Sequence, residues 1–193
     1  MSEYGAVVLA GGSARRLGGA DKPGLLVGGA PLLTRVLDAA ADADPIVVVG
    51  PPHLKARLPD GARLTSEEPP GGGPVAAAAA GWPFMTGTDV VALLAADLPF
   101  LTPAVLAALR ARLGDADGAV LVDPEDRPQW MAGVWRVSPM SERLAEAGPG
   151  ASLRATVAGL SIVTLAAAGR EWFDCDTFED LTTARSWTHA NTG

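Results

Sequence analysis

The chain has 193 residues, 48% of them hydrophobic and 19% charged, a size and balance expected of one folding unit spanning residues 1–193. With 22 acidic and 15 basic side chains the formal net charge is −7. That charge argues against a surface built to neutralise nucleic-acid phosphates or anionic lipid, so any basic function must be local.

In chain order, the opening MSEYGAVVLAGG lacks the basic flank, long apolar run and cleavage site of a secretory leader, which makes the cytoplasm the expected compartment. Residues 6–10 form the first short apolar run of strand type, and a glycine-rich loop follows at 11–29. A helix is expected over 31–41 and a strand over 46–50, before a second glycine and proline cluster at 69–74. Residues 74–82 read as a helix; the apolar stretch 74–85 falls well short of the ~20 residues that span a bilayer. A strand over 89–95 leads to a helix over 103–113, with Thr102 as N-cap and Pro103 in its first turn. Beyond it lie strands at 119–123 and 131–137, helices near 139–147 and 153–158, a strand at 161–165 and a last helix from Thr177. Strands alternating with helices, each strand mostly apolar, predict an α/β fold whose sheet is covered on both faces. In such a sheet ligands bind outside the carboxyl ends of the strands, where the glycine-rich loops fall.

The first loop, GGSARRLGGADK, sets Gly11, Gly12, Gly18 and Gly19 around Arg15, Arg16 and Lys22. Glycines let backbone N–H groups approach a polyphosphate, arginines offer planar forks to phosphate oxygens, and lysine supplies a mobile point charge. The spacing fits neither a Walker loop nor the GxGxxG dinucleotide fingerprint. Asp97 follows the apolar run VVALLAA, so its carboxylate should emerge at the strand's carboxyl edge beside this loop, where a magnesium ion would be needed. A second carboxylate is available from Asp174 or Asp176 in DCDT; Asp176 also precedes Thr177-Phe178-Glu179-Asp180, which resembles a capping box. In the second half Arg127, Trp130, Trp135, Arg136 and Arg154 could offer flat apolar surface and phosphate contacts. Trp130 and Trp135 are five apart, so in a regular strand they face opposite sides. His53, His189 and the lone Cys175 carry no recognisable motif. One cysteine makes no internal disulfide or zinc site.

Taken together, LAGGSARRLGGADK resembles the signature of nucleotidyltransferases that activate sugars and cofactors, and is most similar to molybdenum cofactor guanylyltransferase. EEPPGGGPVAA, ADLPF and DCDTFEDL follow in the order of that family's blocks. The resemblance implies a three-layer α/β/α sandwich with a mostly parallel, open, Rossmann-like sheet of the glycosyltransferase A type. Its nucleotide-binding part would be about 1–115 and its acceptor-binding part about 116–193. It implies transfer of GMP from GTP to the phosphate of molybdopterin, with Mg2+ as cofactor and Arg16, Lys22 and Asp97 as the catalytic groups. The metal would sit on Asp97 and Asp176, and transient contact with proteins that deliver or accept the molybdenum cofactor is expected. The nucleotide would meet Leu9, Ala10, Gly11, Gly12, Arg15, Arg16, Lys22, Glu67, Gly73 and Pro74, and the acceptor Arg127, Trp130 and Arg154. Guanine presents adjacent N1–H and N2–H donors, and a carboxylate such as Glu67 accepts both. The late block departs from the family's Asn-x-Asn-Thr-Pro form, with Asp174, Asp176 and Phe178 in place of both asparagines and the proline. That departure keeps cytidylyltransferases and deazaflavin-cofactor guanylyltransferases of the same fold in view. A catalytically silent nucleotide-binding regulator is the alternative from another class.

Overall fold

The computed structural model describes residues 4–11 and 21–189. Its strands are β1 (Gly5–Leu9), β2 (Leu26–Val27), β3 (Ala30–Pro31), β4 (Ile46–Val49), β5 (Arg63–Thr65), β6 (Val90–Ala95), β7 (Gly118–Val122), β8 (Pro128–Arg136) and β9 (Ile162–Ala166). Its helices are α1 (Leu32–Ala39), α2 (Pro74–Gly81), α3 (Pro103–Leu113), α4 (Val137–Glu146), α5 (Leu153–Thr156) and α6 (Phe178–His189). Seven strands make one sheet in the order β5-β4-β1-β6-β8-β7-β9. β8 runs antiparallel to both its neighbours and the other pairings are parallel. No helix among the described residues is long and apolar enough to cross a membrane.

All five residues of β1 are buried because the sheet is covered on both faces. Ala6 and Val8 enter a layer with Leu33, Val36 and Leu37 of α1 and Leu106, Leu109 and Leu113 of α3. Val7 and Leu9 point the other way, to Val75 and Ala78 of α2 and Met140 and Leu144 of α4. Helix α3 has the expected bounds, and the Thr102 hydroxyl accepts from the Val105 N–H at 3.3 Å. A third, smaller cluster joins Val27, Leu32, Cys175, Leu181 and Ala184, and clamps the β2–β3 ribbon to α6.

The structure differs from the sequence expectations in several places. The first helix starts at Leu32, one residue after the expected Pro31, because Pro31 pairs with Leu26 in the β2–β3 ribbon. Gly28 and Gly29 turn that ribbon with φ of 56° and 82°, the left-handed pair that a tight hairpin requires. Second, β5 is a strand of only three residues that the hydrophobic pattern does not reveal. Third, Trp130 and Trp135 do not diverge: Trp135 is fully buried in the α2/α4 layer and Trp130 packs, half-buried, against the same layer. The β7–β8 pairing shifts register between Val120 and Leu121, and this irregularity breaks the strict alternation assumed from spacing.

The carboxyl ends of β5, β4, β1 and β6 share one edge of the sheet. From β1 the chain turns first to β4 on one side and later to β6 on the other, so a topological switch point lies between β1 and β6.

Trp135 fills the space over Gly118, where a Cβ would lie 2.5 Å from its ring, and its buried Nε1 has no partner among the described residues. Trp135→Ala should therefore cost about 3–5 kcal/mol in urea unfolding. Trp135→Phe should cost less than half as much, because it keeps most of the volume and removes an unpaired donor.

Candidate active site

The switch point is stitched from three distant segments. Beyond β6 the Ala96 N–H donates to Leu9 O at 3.0 Å, and the Cys175 N–H donates to Asp97 O at 3.1 Å. Lys22 opens a 3-10 turn, Lys22–Gly24. Its ammonium forms an ion pair with Asp97 Oδ2 and a hydrogen bond of 2.6 Å to Asp176 Oδ1. Burial of Val27 and Leu32 against Cys175 and Leu181 brings these segments together. Two arginines tie the ribbon further. Arg35 Nε donates to Val27 O at 2.7 Å, and Arg185 Nε to Leu26 O at 2.9 Å. Asp176 is left available because the helix cap is made by its neighbours. The Thr177 N–H donates to Asp180 Oδ2 at 2.7 Å, and the Asp180 N–H donates back to Thr177 Oγ1 at 3.1 Å.

The electrostatics follow from two carboxylates paired with one ammonium and a third carboxylate, Asp174, within range of their charges. Burial disfavours the charge on Lys22, but Asp97 and Asp176 more than offset it and hold its pKa above the ordinary lysine value. Although Asp174 reaches solvent, the protein packed about it and the charges of Asp97 and Asp176 push its carboxyl up to about 6, against the pull of Lys22. Burial raises the Cys175 thiol to about 12, so it is an apolar packing group and not a nucleophile. Asp97 Oδ1 is buried and has no hydrogen-bond partner among the described residues. No three His, Cys, Asp or Glu side chains come together in a metal-holding arrangement among those residues. Asp97 and Asp176 offer carboxylate oxygens, the donor type that hard cations take.

At the β5 end of the same edge, Glu67 Oε1 accepts the Gly71 N–H at 2.9 Å, while Oε2 is buried without a partner among the described residues. Gly71 and Gly73 carry φ of 88° and 89°, so the turn that folds over Glu67 and leads into Pro74 and α2 requires glycine. From β5 to β6 there are three strand steps, about 14 Å across the edge. Leu9 and Ala10 lie between them, two steps from β5 and one from β6, with the Ala10 N–H on Val49 O at 2.8 Å and Gly11 exposed just beyond. Gly12, Arg15 and Arg16 lie outside the described residues.

In the second half, Arg127 stands in the turn after β7 and is exposed. Its guanidinium pairs with Asp123 Oδ2 at 2.9 Å and Glu125 Oε2 at 2.8 Å. Burial opposes ionisation of Asp123, yet hydrogen bonds from the Arg127 backbone and side chain and the Glu125 N–H hold its carboxyl below the usual range. Arg154 is exposed on α5. Two candidates are structural: Trp135 is core, and Arg136 Nε donates to Ala116 O at 3.1 Å, bracing the turn after α3. A further contact lies beside Lys22. Asp21 Oδ1 lies 3.0 Å from His53 Nε2, and Asp21 Oδ2 lies 2.7 Å from Arg57 Nη2. Its only sequence signal is a carboxylate next to the lysine.

Residues 6–167 match the MobA-like NTP transferase domain. The chain is 34% identical over 163 residues to a probable molybdenum cofactor guanylyltransferase of Natronomonas pharaonis, covering 80% of this chain and 78% of that one. It is 33% identical over 149 residues to a molybdenum cofactor guanylyltransferase of Cereibacter sphaeroides, covering 72% of each. The molybdopterin-guanine dinucleotide biosynthesis protein A of Archaeoglobus fulgidus has the same fold. It superposes with a TM-score of 0.76 at 20% identity, over 96% of this chain and 98% of that one. The chain thus belongs to the MobA-like NTP transferase family and is a nucleotidyltransferase of the kind that molybdenum cofactor guanylyltransferases represent.

Proposed function

We propose that this chain transfers GMP from GTP to the terminal phosphate of a molybdopterin-type acceptor and releases pyrophosphate, with Mg2+ as its divalent cation. The observation that carries the reading is the meeting of Lys22, Asp97 and Asp176 at the switch point between β1 and β6. The names of the Natronomonas and Cereibacter relatives support the choice of substrates.

In this reading an acceptor phosphate oxygen attacks the α-phosphorus of GTP in line. The bond to the bridging oxygen breaks, and pyrophosphate departs with the electron pair. No protein nucleophile takes part, so catalysis consists of positioning and charge stabilisation. Lys22, held cationic by its aspartates, supplies a fixed positive charge to the phosphate chain, and Arg16 a second. Asp97, through its unpartnered Oδ1, and Asp176 would hold the divalent cation, with Asp174 at its margin. When bound, that cation neutralises phosphate charge and polarises the reacting phosphoryl group. Glu67 would use its unpartnered oxygen to accept the N1–H and N2–H of guanine. The backbone of Leu9, Ala10, Gly11 and Gly12, with Gly73 and Pro74, would line the base. Residues about 1–115 would thus hold the nucleotide and about 116–193 the acceptor, Asp176 reaching back to the shared centre. Arg127, Trp130 and Arg154 are the proposed acceptor contacts; the Arg127 turn and the start of β8 lie at the same sheet edge.

Lys22→Ala should lower kcat by two to three decades, about 2.7–4 kcal/mol. The check is pyrophosphate release at saturating GTP and Mg2+ with molybdopterin; near wild-type turnover removes Lys22 from the mechanism. In thermal-shift titrations GTP should raise Tm more than ATP, CTP or UTP, and Glu67→Gln should abolish most of that preference. A larger shift with CTP overturns the base assignment. Asp174 binds its proton more tightly when folded, so it lowers stability as pH rises from its ordinary value of 3.8 through about 6. Asp174→Asn should accordingly raise Tm at neutral pH in chelator-treated buffer. The gain should vanish below pH 3.8, where both states are protonated.

A further inference from the structure

We infer that His53 and Arg57 are positioning residues that set Lys22 in the active site through Asp21. The inference rests on the role proposed for Lys22 and adds what holds that lysine in place.

Asp21 is the residue immediately before the Lys22–Gly24 turn, and it serves as the turn's N-cap. Its backbone oxygen accepts the Gly24 N–H at 2.9 Å, so the orientation of Asp21 fixes the start of the turn and the direction in which Lys22 leaves it. The carboxylate is gripped at both oxygens from a separate element, the 3-10 helix Pro52–Arg57 that follows β4. His53 Nε2 stands 3.0 Å from Oδ1 and Arg57 Nη2 stands 2.7 Å from Oδ2. The grip has a shaped seat. A Cβ on Gly24 would lie 2.0 Å from Arg57 Nη1 and 2.6 Å from Asp21 Oδ2. A side chain added there would displace the guanidinium or the carboxylate from this contact.

Stability does not account for this arrangement. The side chains of Asp21, Arg57 and His53 are 35%, 36% and 54% exposed, and ion pairs that open to water contribute little to folding. The local consequence is larger. A free carboxylate beside Lys22 would repel an incoming triphosphate and compete for the ammonium. With Arg57 on Oδ2 and His53 on Oδ1, both of its oxygens are engaged, while Lys22 pairs with Asp97 and Asp176. Misplacing a catalytic group by about 1 Å can cost on the order of 100-fold in rate. A contact of small thermodynamic weight can therefore have a large kinetic one.

The test is steady-state pyrophosphate release with GTP, Mg2+ and molybdopterin, for Arg57→Ala, His53→Ala, Gly24→Ala and Arg57→Lys, each also in a Lys22→Ala background. Arg57→Ala should lower kcat roughly 10- to 100-fold while KM for GTP changes less than about threefold. Its Tm should stay within about 4 °C of wild type. Gly24→Ala, which dislodges the same pair sterically, should reproduce the kcat loss. Arg57→Lys should restore part of it, and His53→Ala should give a smaller loss of the same kind. In the Lys22→Ala background none of these changes should reduce the rate further. Full turnover of Arg57→Ala beside an impaired Lys22→Ala overturns the inference and leaves the proposed function standing. An equal loss in both backgrounds also overturns it, because Arg57 would then act on substrate directly. Full turnover of Lys22→Ala itself refutes the role of Lys22 on which both readings rest.

Discussion

One ammonium group among carboxylates drawn from remote parts of the chain is the constraint on which the site depends. Lys22 and Asp176 are 154 positions apart, yet they meet at hydrogen-bonding distance with Asp97 between them in sequence. Left without a cation, Asp97, Asp174 and Asp176 would repel one another at the end of β6. Lys22 offsets part of that repulsion, and burial together with the charges of Asp97 and Asp176 still raises the Asp174 carboxyl.

Apolar packing holds this charged centre together. Val27 and Leu32 bury against Cys175, Leu181 and Ala184 and fasten the β2–β3 ribbon to α6. The two large layers on either face of the sheet serve a different end, which is to fix the order β4-β1-β6 and hence the switch point. Geometry then distributes the work along one edge. The Glu67 turn stands at the β5 end and the aspartates at the β6 end, and the backbone after β1 lies between them. Under the proposed function, these positions would serve as base reader, phosphate grip and cation site, spaced along the edge by strand separation.

Much of this was legible in the sequence. Strands β1, β4, β6 and β7 announced themselves as short apolar runs because burial on both faces removes alternation, and Thr102-Pro103 marked the start of α3. Asp97 could be located because it directly follows such a strand. Other features depended on tertiary context. The ribbon was hidden inside a stretch dominated by glycine, although Gly28-Gly29 is itself a hairpin signal. The capping-box pattern beside Asp176 does not by itself show which residue caps the helix; the reciprocal bonds of Thr177 and Asp180 do. The pairing of Asp21 with His53 and Arg57 joins loops that follow two different strands, and no local pattern encodes it. The shared face of Trp130 and Trp135 has a similar origin, since the register shift opposite Val120 and Leu121 is decided by the neighbouring strand.

The most direct measurement is a crystal structure of the protein with Mn2+ and a non-hydrolysable GTP analogue, located by the anomalous signal of the metal. The expected result is a metal peak bonded to Asp97 Oδ1, with the triphosphate within hydrogen-bond reach of Lys22 and the base against Glu67. A nucleotide bound at another face of the sheet, or a metal peak away from Asp97 and Asp176, would contradict the assignment.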